Sequence, residues 1–186
     1  MTPIDLDAAV AAFDALPPLE AVPMLEACCG STAWVNGMVI RRPFLTLFLL
    51  LEESEHLWWS LAPDDWREAF DHHPRIGESS AAVAQPTTAR DWSASEQDGV
   101  SNADADVKRA LADGNREYER RFGHIYLVSA TGKSAAEMLA ILRGRLNNDP
   151  ATELRVAAGE QAKITRLRLL KLFGATPSTP SSGDAT

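Results

Sequence analysis

The chain has 186 residues, 45% of them hydrophobic, and a formal net charge of -8, which is enough polypeptide for one domain with a substantial core. The acidic balance argues against a nucleic-acid partner, and no apolar run approaches the roughly 20 residues a membrane span needs. Met1 to Asp5 has no secretion-signal pattern, and the only cysteines, Cys28 and Cys29, are adjacent, which fits neither a disulfide framework nor a zinc cluster and points to a reducing cytoplasm.

In chain order the signals are helical. Leu6, Val10 and Phe13 recur at i, i+4 and i+7 before the Pro17-Pro18 break, and Leu19, Val22, Leu25 and Cys28 continue the period to Gly30. A third helix covers Ser31 to about Val39, ahead of Pro43, and a long apolar one runs from Leu45 to Leu61. Asp64 is a suitable N-cap for a short helix through Trp66 and Phe70. Between Ser79 and Gly99 the chain is rich in Ala, Ser, Thr and Gln, with a helix start expected at Ser93. Val107, Leu111, Tyr118 and Phe122 line one face of a helix closed by Gly123. Ile125-Tyr126-Leu127-Val128 is β-prone but isolated. Ser134 and Glu137 form a capping box, and Asp149-Pro150 opens a last helix that runs to Leu172. The expectation is an all-α fold: a single multi-helix domain over 1–174 with one short extended segment, then a disordered Pro/Ser/Thr/Gly tail over 175–186.

Chemistry concentrates first at Phe70-Asp71-His72-His73-Pro74-Arg75-Ile76-Gly77-Glu78. Pro74 biases His73 out of helical geometry, so an imidazole able to exchange protons near neutral pH projects from a helix end. Asp71-His72-His73 lacks the further ligands of a metal phosphoesterase, and Glu53-x-x-His56 is one copy of a motif that di-iron bundles need twice. No phosphate loop, zinc spacing or nucleophile elbow occurs.

Ser93-x-x-Glu96-Gln97 reads either as a capping box or as a polar site at a helix N-terminus. On the last helix Arg168 falls within about 40° of Ile164 and points with the apolar stripe, whereas Arg166 lies on the opposite side. Such a guanidinium either snorkels, forms an internal salt bridge or meets an anion. Ile141 to Phe173 holds seven Lys/Arg against three acids, a local excess of +4 that leaves -12 elsewhere. This is either a solvated basic face or an attraction for a small anion.

Together, His73-Pro74-x-Ile76-Gly77, Ser93-x-x-Glu96-Gln97, Phe122-Gly123-His124-Ile125-Tyr126 and Lys163-Ile164-x-x-x-Arg168-Leu169 resemble the 2-oxo-4-hydroxy-4-carboxy-5-ureidoimidazoline (OHCU) decarboxylases of uric acid degradation. The resemblance spans about Cys29 to Leu172. It implies an all-helical, cofactor-independent and metal-independent carboxy-lyase, a homodimer, that turns an anionic ureide into (S)-allantoin. It makes His73 the catalytic imidazole and Glu96 its partnering carboxylate. Pro74, Ser93, Gln97 and Arg168 become substrate-binding residues, and the extended stretch near His124 and Tyr126 contributes backbone groups. Two alternatives remain: a related ureide hydrolase or isomerase, and a non-catalytic helical interaction module.

Overall fold

Caps and breaks in the sequence set the helix boundaries of the computed structural model, which describes residues 5–77, 84–96 and 103–175. Nine helices are present among the described residues. α1 (Leu6–Asp14) starts on Asp5, whose carboxylate accepts from the Ala8 N–H. α2 (Pro18–Cys28) opens with proline at its first position, where no donor is needed. α3 (Thr32–Ile40) is capped by Ser31.

α4 (Leu47–Ser60) begins two residues later than expected, because Thr46 caps the Leu49 N–H and Leu45 takes a left-handed φ of 70°. α5 (Pro63–Asp71) also departs from expectation. Asp65, not Asp64, closes its start by accepting from the Ala62 N–H.

α6 (Thr87–Glu96) corrects a larger expectation: Ser93 lies near the end of this helix, not at its start. α7 (Ala105–Phe122) ends on Gly123 in left-handed geometry. α8 (Ala135–Arg145) carries the expected Ser134/Glu137 capping box. α9 (Pro150–Leu172) is held at its start by Asp149, which accepts from Ala151 and Thr152. Ala175, expected to open the tail, still donates to Leu170 O at 2.8 Å. Residues 176–186 lie outside the described residues.

α9 is the spine, packing against α2, α4, α5 and α7. The larger core gathers α1 to α5 around it, with Trp34, Trp58, Phe70, Leu50 and Leu169 essentially buried. Each buried indole N–H has a carbonyl: Trp34 donates to Ser54 O, Trp58 to Ala158 O and Trp66 to Trp58 O. A buried indole without such a partner would be strongly unfavourable. The smaller core lies between α7 and α8.

The β-prone run is extended, as expected, and its alternation explains why it needs no sheet. Ile125 and Leu127 pack into the larger core, while Tyr126, Val128 and Ala130 pack into the smaller one. Side chains of a strand point alternately to opposite sides, so this stretch is a partition with an apolar cluster on each face.

Candidate active site

Four pieces of chain converge on one cavity. Its walls are His73, Pro74 and Ile76 from the segment after α5, and Ser93 and Glu96 from α6. Leu127 to Thr131 come from the extended stretch, and Ile164 and Leu167 from α9. About 370 Å³ of non-atom space, open solvent included, lies between these walls.

His73 is placed by the end of α5. Its N–H donates to Phe70 O at 2.9 Å, closing the last turn, and the segment beyond is tied to α7. Asn115 Nδ2 donates to Ile76 O at 3.2 Å, and Arg75 makes a bidentate pair with Glu119 at 2.5 and 2.9 Å. On the other side the α2–α3 connection approaches so closely that a Cβ on Gly30 would lie 2.3 Å from His72 Cγ. Only glycine fits there. His72 is half-buried with Nδ1 against Glu68 O at 2.9 Å.

The imidazole of His73 is buried. Burial, followed by the nearby Arg168 cation, holds its pKa well below the usual histidine value, while Gln161 opposes the shift. His73 is therefore neutral at pH 7, with one N–H and one lone pair to offer.

Ser93 and Glu96 sit one turn apart on α6, and Arg168 on α9 gathers them. Its Nη2 donates to Ser93 Oγ at 2.8 Å and to Glu96 Oε2 at 2.9 Å, and its Nε donates to Glu96 Oε1 at 3.2 Å. Nη1 reaches Ala27 O at 3.4 Å. Of the sequence alternatives for Arg168, the internal salt bridge is realised. The guanidinium lies behind Ser93 and Glu96, outside the cavity wall itself. Lys171 adds a second cation at 3.2 Å from Glu96 Oε1. Two cations on one carboxylate leave a formal excess of one positive charge beside the cavity.

Glu96 was expected to be the partnering carboxylate of His73. Its carboxylate is instead engaged by Arg168 and Lys171, and the side chain that interacts with the His73 ring is Gln161. Glu96 and His73 face the same cavity without a mutual hydrogen bond among the described residues. Gln97 lies outside the described residues.

His124 and Tyr126 are displaced from the roles expected of them. His124 packs among Phe70, Tyr118 and Phe122, with ring centroids 5.3 to 6.3 Å away. Tyr126 donates to Met138 O at 3.0 Å and lies under Arg145. Neither borders the cavity. The stretch borders the cavity from Leu127 to Thr131.

The sequence reading missed what holds that stretch. Arg145 Nη1 donates to Leu127 O at 2.7 Å, and its Nε donates to Glu153 Oε1 at 2.7 Å. Tyr118 OH also donates to Glu153, and Asn148 Nδ2 donates to the other carboxylate oxygen at 2.7 Å. Glu160 accepts from the Ser129 N–H at 2.8 Å, and Lys133 donates to Ser129 O at 2.6 Å. The Leu127 carbonyl and both backbone groups of Ser129 are spent on these anchors. Alternate backbone groups of an extended chain point the other way, so those of Val128 are directed away from the anchors.

Comparison with known proteins gives a consistent picture. A family model described as OHCU decarboxylase matches residues 14–170. The chain is 33% identical over 162 residues to the uric acid degradation bifunctional protein TTL of Arabidopsis thaliana, covering 87% of this chain and 50% of that protein. The chain thus spans half the length of that relative. It is 30% identical over 136 residues to mouse 2-oxo-4-hydroxy-4-carboxy-5-ureidoimidazoline decarboxylase, covering 63% of this chain and 76% of that one. A crystal structure of OHCU decarboxylase in the presence of (S)-allantoin superposes with a TM-score of 0.70 at 35% identity, covering 81% of this chain and 97% of that chain.

Proposed function

The chain belongs to the OHCU decarboxylase family, and from that premise we propose that it is a carboxy-lyase of uric acid degradation. Its substrate is 2-oxo-4-hydroxy-4-carboxy-5-ureidoimidazoline and its product (S)-allantoin. The observation that carries this reading is the cavity itself, where a neutral buried imidazole, a serine and a doubly paired carboxylate meet apolar walls.

The substrate holds its carboxylate on a carbon next to a ring C=N bond. When the C–CO₂ bond breaks, its electron pair forms a double bond to the neighbouring ring carbon, and the C=N pair moves onto nitrogen. That nitrogen takes a proton from water, the hydroxyl gives up its proton to become a carbonyl, and the ureido-bearing carbon takes a proton on one face, so one proton is consumed overall. The ring is its own electron acceptor, so the protein's tasks are orientation, desolvation and control of two proton transfers.

The lone pair of His73 receives the hydroxyl proton, a role that suits an imidazole neutral at pH 7. Pro74 fixes the His73 backbone, and Leu167 and Ile164 keep water from the carboxylate. The net positive charge of Arg168 and Lys171 around Glu96 draws the anion in, and Ser93 offers it a hydroxyl. Val128 backbone groups bind the ring amides. The product is uncharged, so the attraction ends when CO₂ departs.

We place the enzyme in the cytosol as a homodimer. The adjacent buried thiols Cys28 and Cys29 suit a reducing compartment, and exposed Ile40, Leu45, Phe48 and Leu49 offer an apolar face for a second copy. Sedimentation at micromolar concentration tests the dimer.

The activity is tested by offering freshly generated hydroxyisourate and OHCU separately. CO₂ release from OHCU alone is the expected result. Consumption of hydroxyisourate without CO₂ would replace this reading with a ureide hydrolase.

A further inference from the structure

Gln161 is fully buried on α9, one turn before Ile164 and Thr165 and two before Arg168. Its Nε2 donates to Thr165 Oγ1 at 3.1 Å, and the Thr165 hydroxyl engages the sulfur of buried Cys29. The amide is thereby oriented with its NH₂ toward Thr165. Oε1 is left without a full hydrogen bond to any described residue, and the group it acts on is the ring of His73. A buried carbonyl oxygen with no donor is costly, so an N–H on the nearer imidazole nitrogen resolves the site.

We propose that Gln161, oriented by Thr165, is the positioning residue of His73: it accepts the imidazole N–H, which leaves the opposite nitrogen as a lone pair for the cavity. The proposal rests on the reading of His73 as the proton acceptor and deepens it. A neutral imidazole has two tautomers, and only one offers the lone pair to the substrate hydroxyl. In other catalytic histidines a carboxylate makes this choice. Here the carboxylate of the cavity wall, Glu96, is committed to Arg168 and Lys171, and a neutral amide takes the task. That substitution has a chemical consequence. An amide selects the tautomer without adding a negative charge, so His73 remains neutral beside a cation and available as a base.

The test is nitrogen-15 NMR of the imidazoles in the intact protein at pH 7, with the His73 resonances assigned by their absence in His73→Ala. Wild type should show one neutral tautomer, protonated on the nitrogen that faces Gln161. Gln161→Met should give a mixture of tautomers and lower kcat by roughly 10- to 100-fold, the scale for losing the outer partner that orients a metal-bound imidazole, with KM within about threefold. Gln161→Glu keeps the acceptor and should retain the tautomer while moving the His73 titration to higher pH. This second variant keeps the proposal testable if the methionine variant does not fold. An unchanged tautomer in Gln161→Met, or a wild-type lone pair facing Gln161, would overturn it. The NMR signal needs no substrate, so it is independent of turnover by His73→Ala, which decides the role of His73 itself.

Discussion

Cutting the buried ion pair between α8 and α9 should reveal how firmly the extended stretch is held. Arg145 and Glu153 are 8% and 0% exposed at their side chains. Arg145→Met keeps most of the apolar stem but strands the carboxylate with only the Tyr118 hydroxyl and the Asn148 amide. Removing one partner of a buried pair costs about 3–5 kcal/mol, and the lost bond to Leu127 O adds about 1 kcal/mol. In a chain of this size each kcal/mol lowers Tm by about 2–4 °C, so a fall of roughly 8–24 °C is expected in thermal melts followed by circular dichroism. The double variant Arg145→Met/Glu153→Leu leaves no uncompensated charge and should recover at least half of that loss. A single variant within about 1 kcal/mol of wild type, or a double variant whose losses simply add, would refute the reasoning.

Three further outcomes follow from the same geometry. Gly30→Ala drives a methyl into the His72 ring and should destabilise by about 1–3 kcal/mol in urea titrations, with reduced turnover because His73 is adjacent; a neutral result would mean that the α2–α3 connection does not constrain the site. Burial and the Arg168 cation depress the His73 pKa and burial depresses that of His124, so both are neutral in the fold above their unfolded value of about 6.5. Their contribution to stability is fully present above that pH and falls away as pH drops below it. The kcat/KM profile should likewise stay level through pH 6.5 and decline only at lower pH; a half-point at or above 6.5 would contradict the assigned environment. Exposed Arg166→Ala should leave turnover unchanged while Arg168→Ala, which frees both Ser93 and Glu96, should abolish most of it. Equal effects would favour the helical interaction module.

What the sequence made legible was local. Ser134 with Glu137, Asp149 with Pro150, and Gly123 act within a turn of themselves, and each marks a helix end found in the structure. His73 was legible because proline constrains its immediate neighbour. What escaped was set by distant partners. Ser93 resembled a cap because Ser-x-x-Glu is a capping box in isolation; Arg168, 75 residues away, instead draws both side chains to the end of α6. The basic excess of the C-terminal region is similarly tied to partners: Arg145 and Lys163 pair with Glu153 and Glu160 inside it, and Glu96 of α6 takes both Arg168 and Lys171, still leaving the region net positive. Gln161 could have been found. It shares the face of Arg168 at i-7, and a buried amide on that stripe raises the same question as a buried guanidinium.

The central claim is that the imidazole of His73 controls proton transfer in a cavity that fixes one face of the product. The most direct measurement compares wild type with His73→Ala, verified as folded, by the optical activity of allantoin formed from fresh OHCU. Wild type should yield the (S) enantiomer, whereas the variant should fall by about 10²- to 10⁴-fold in rate and yield allantoin that tends to the racemate of the spontaneous reaction. A folded variant that forms (S)-allantoin at the wild-type rate would contradict the account.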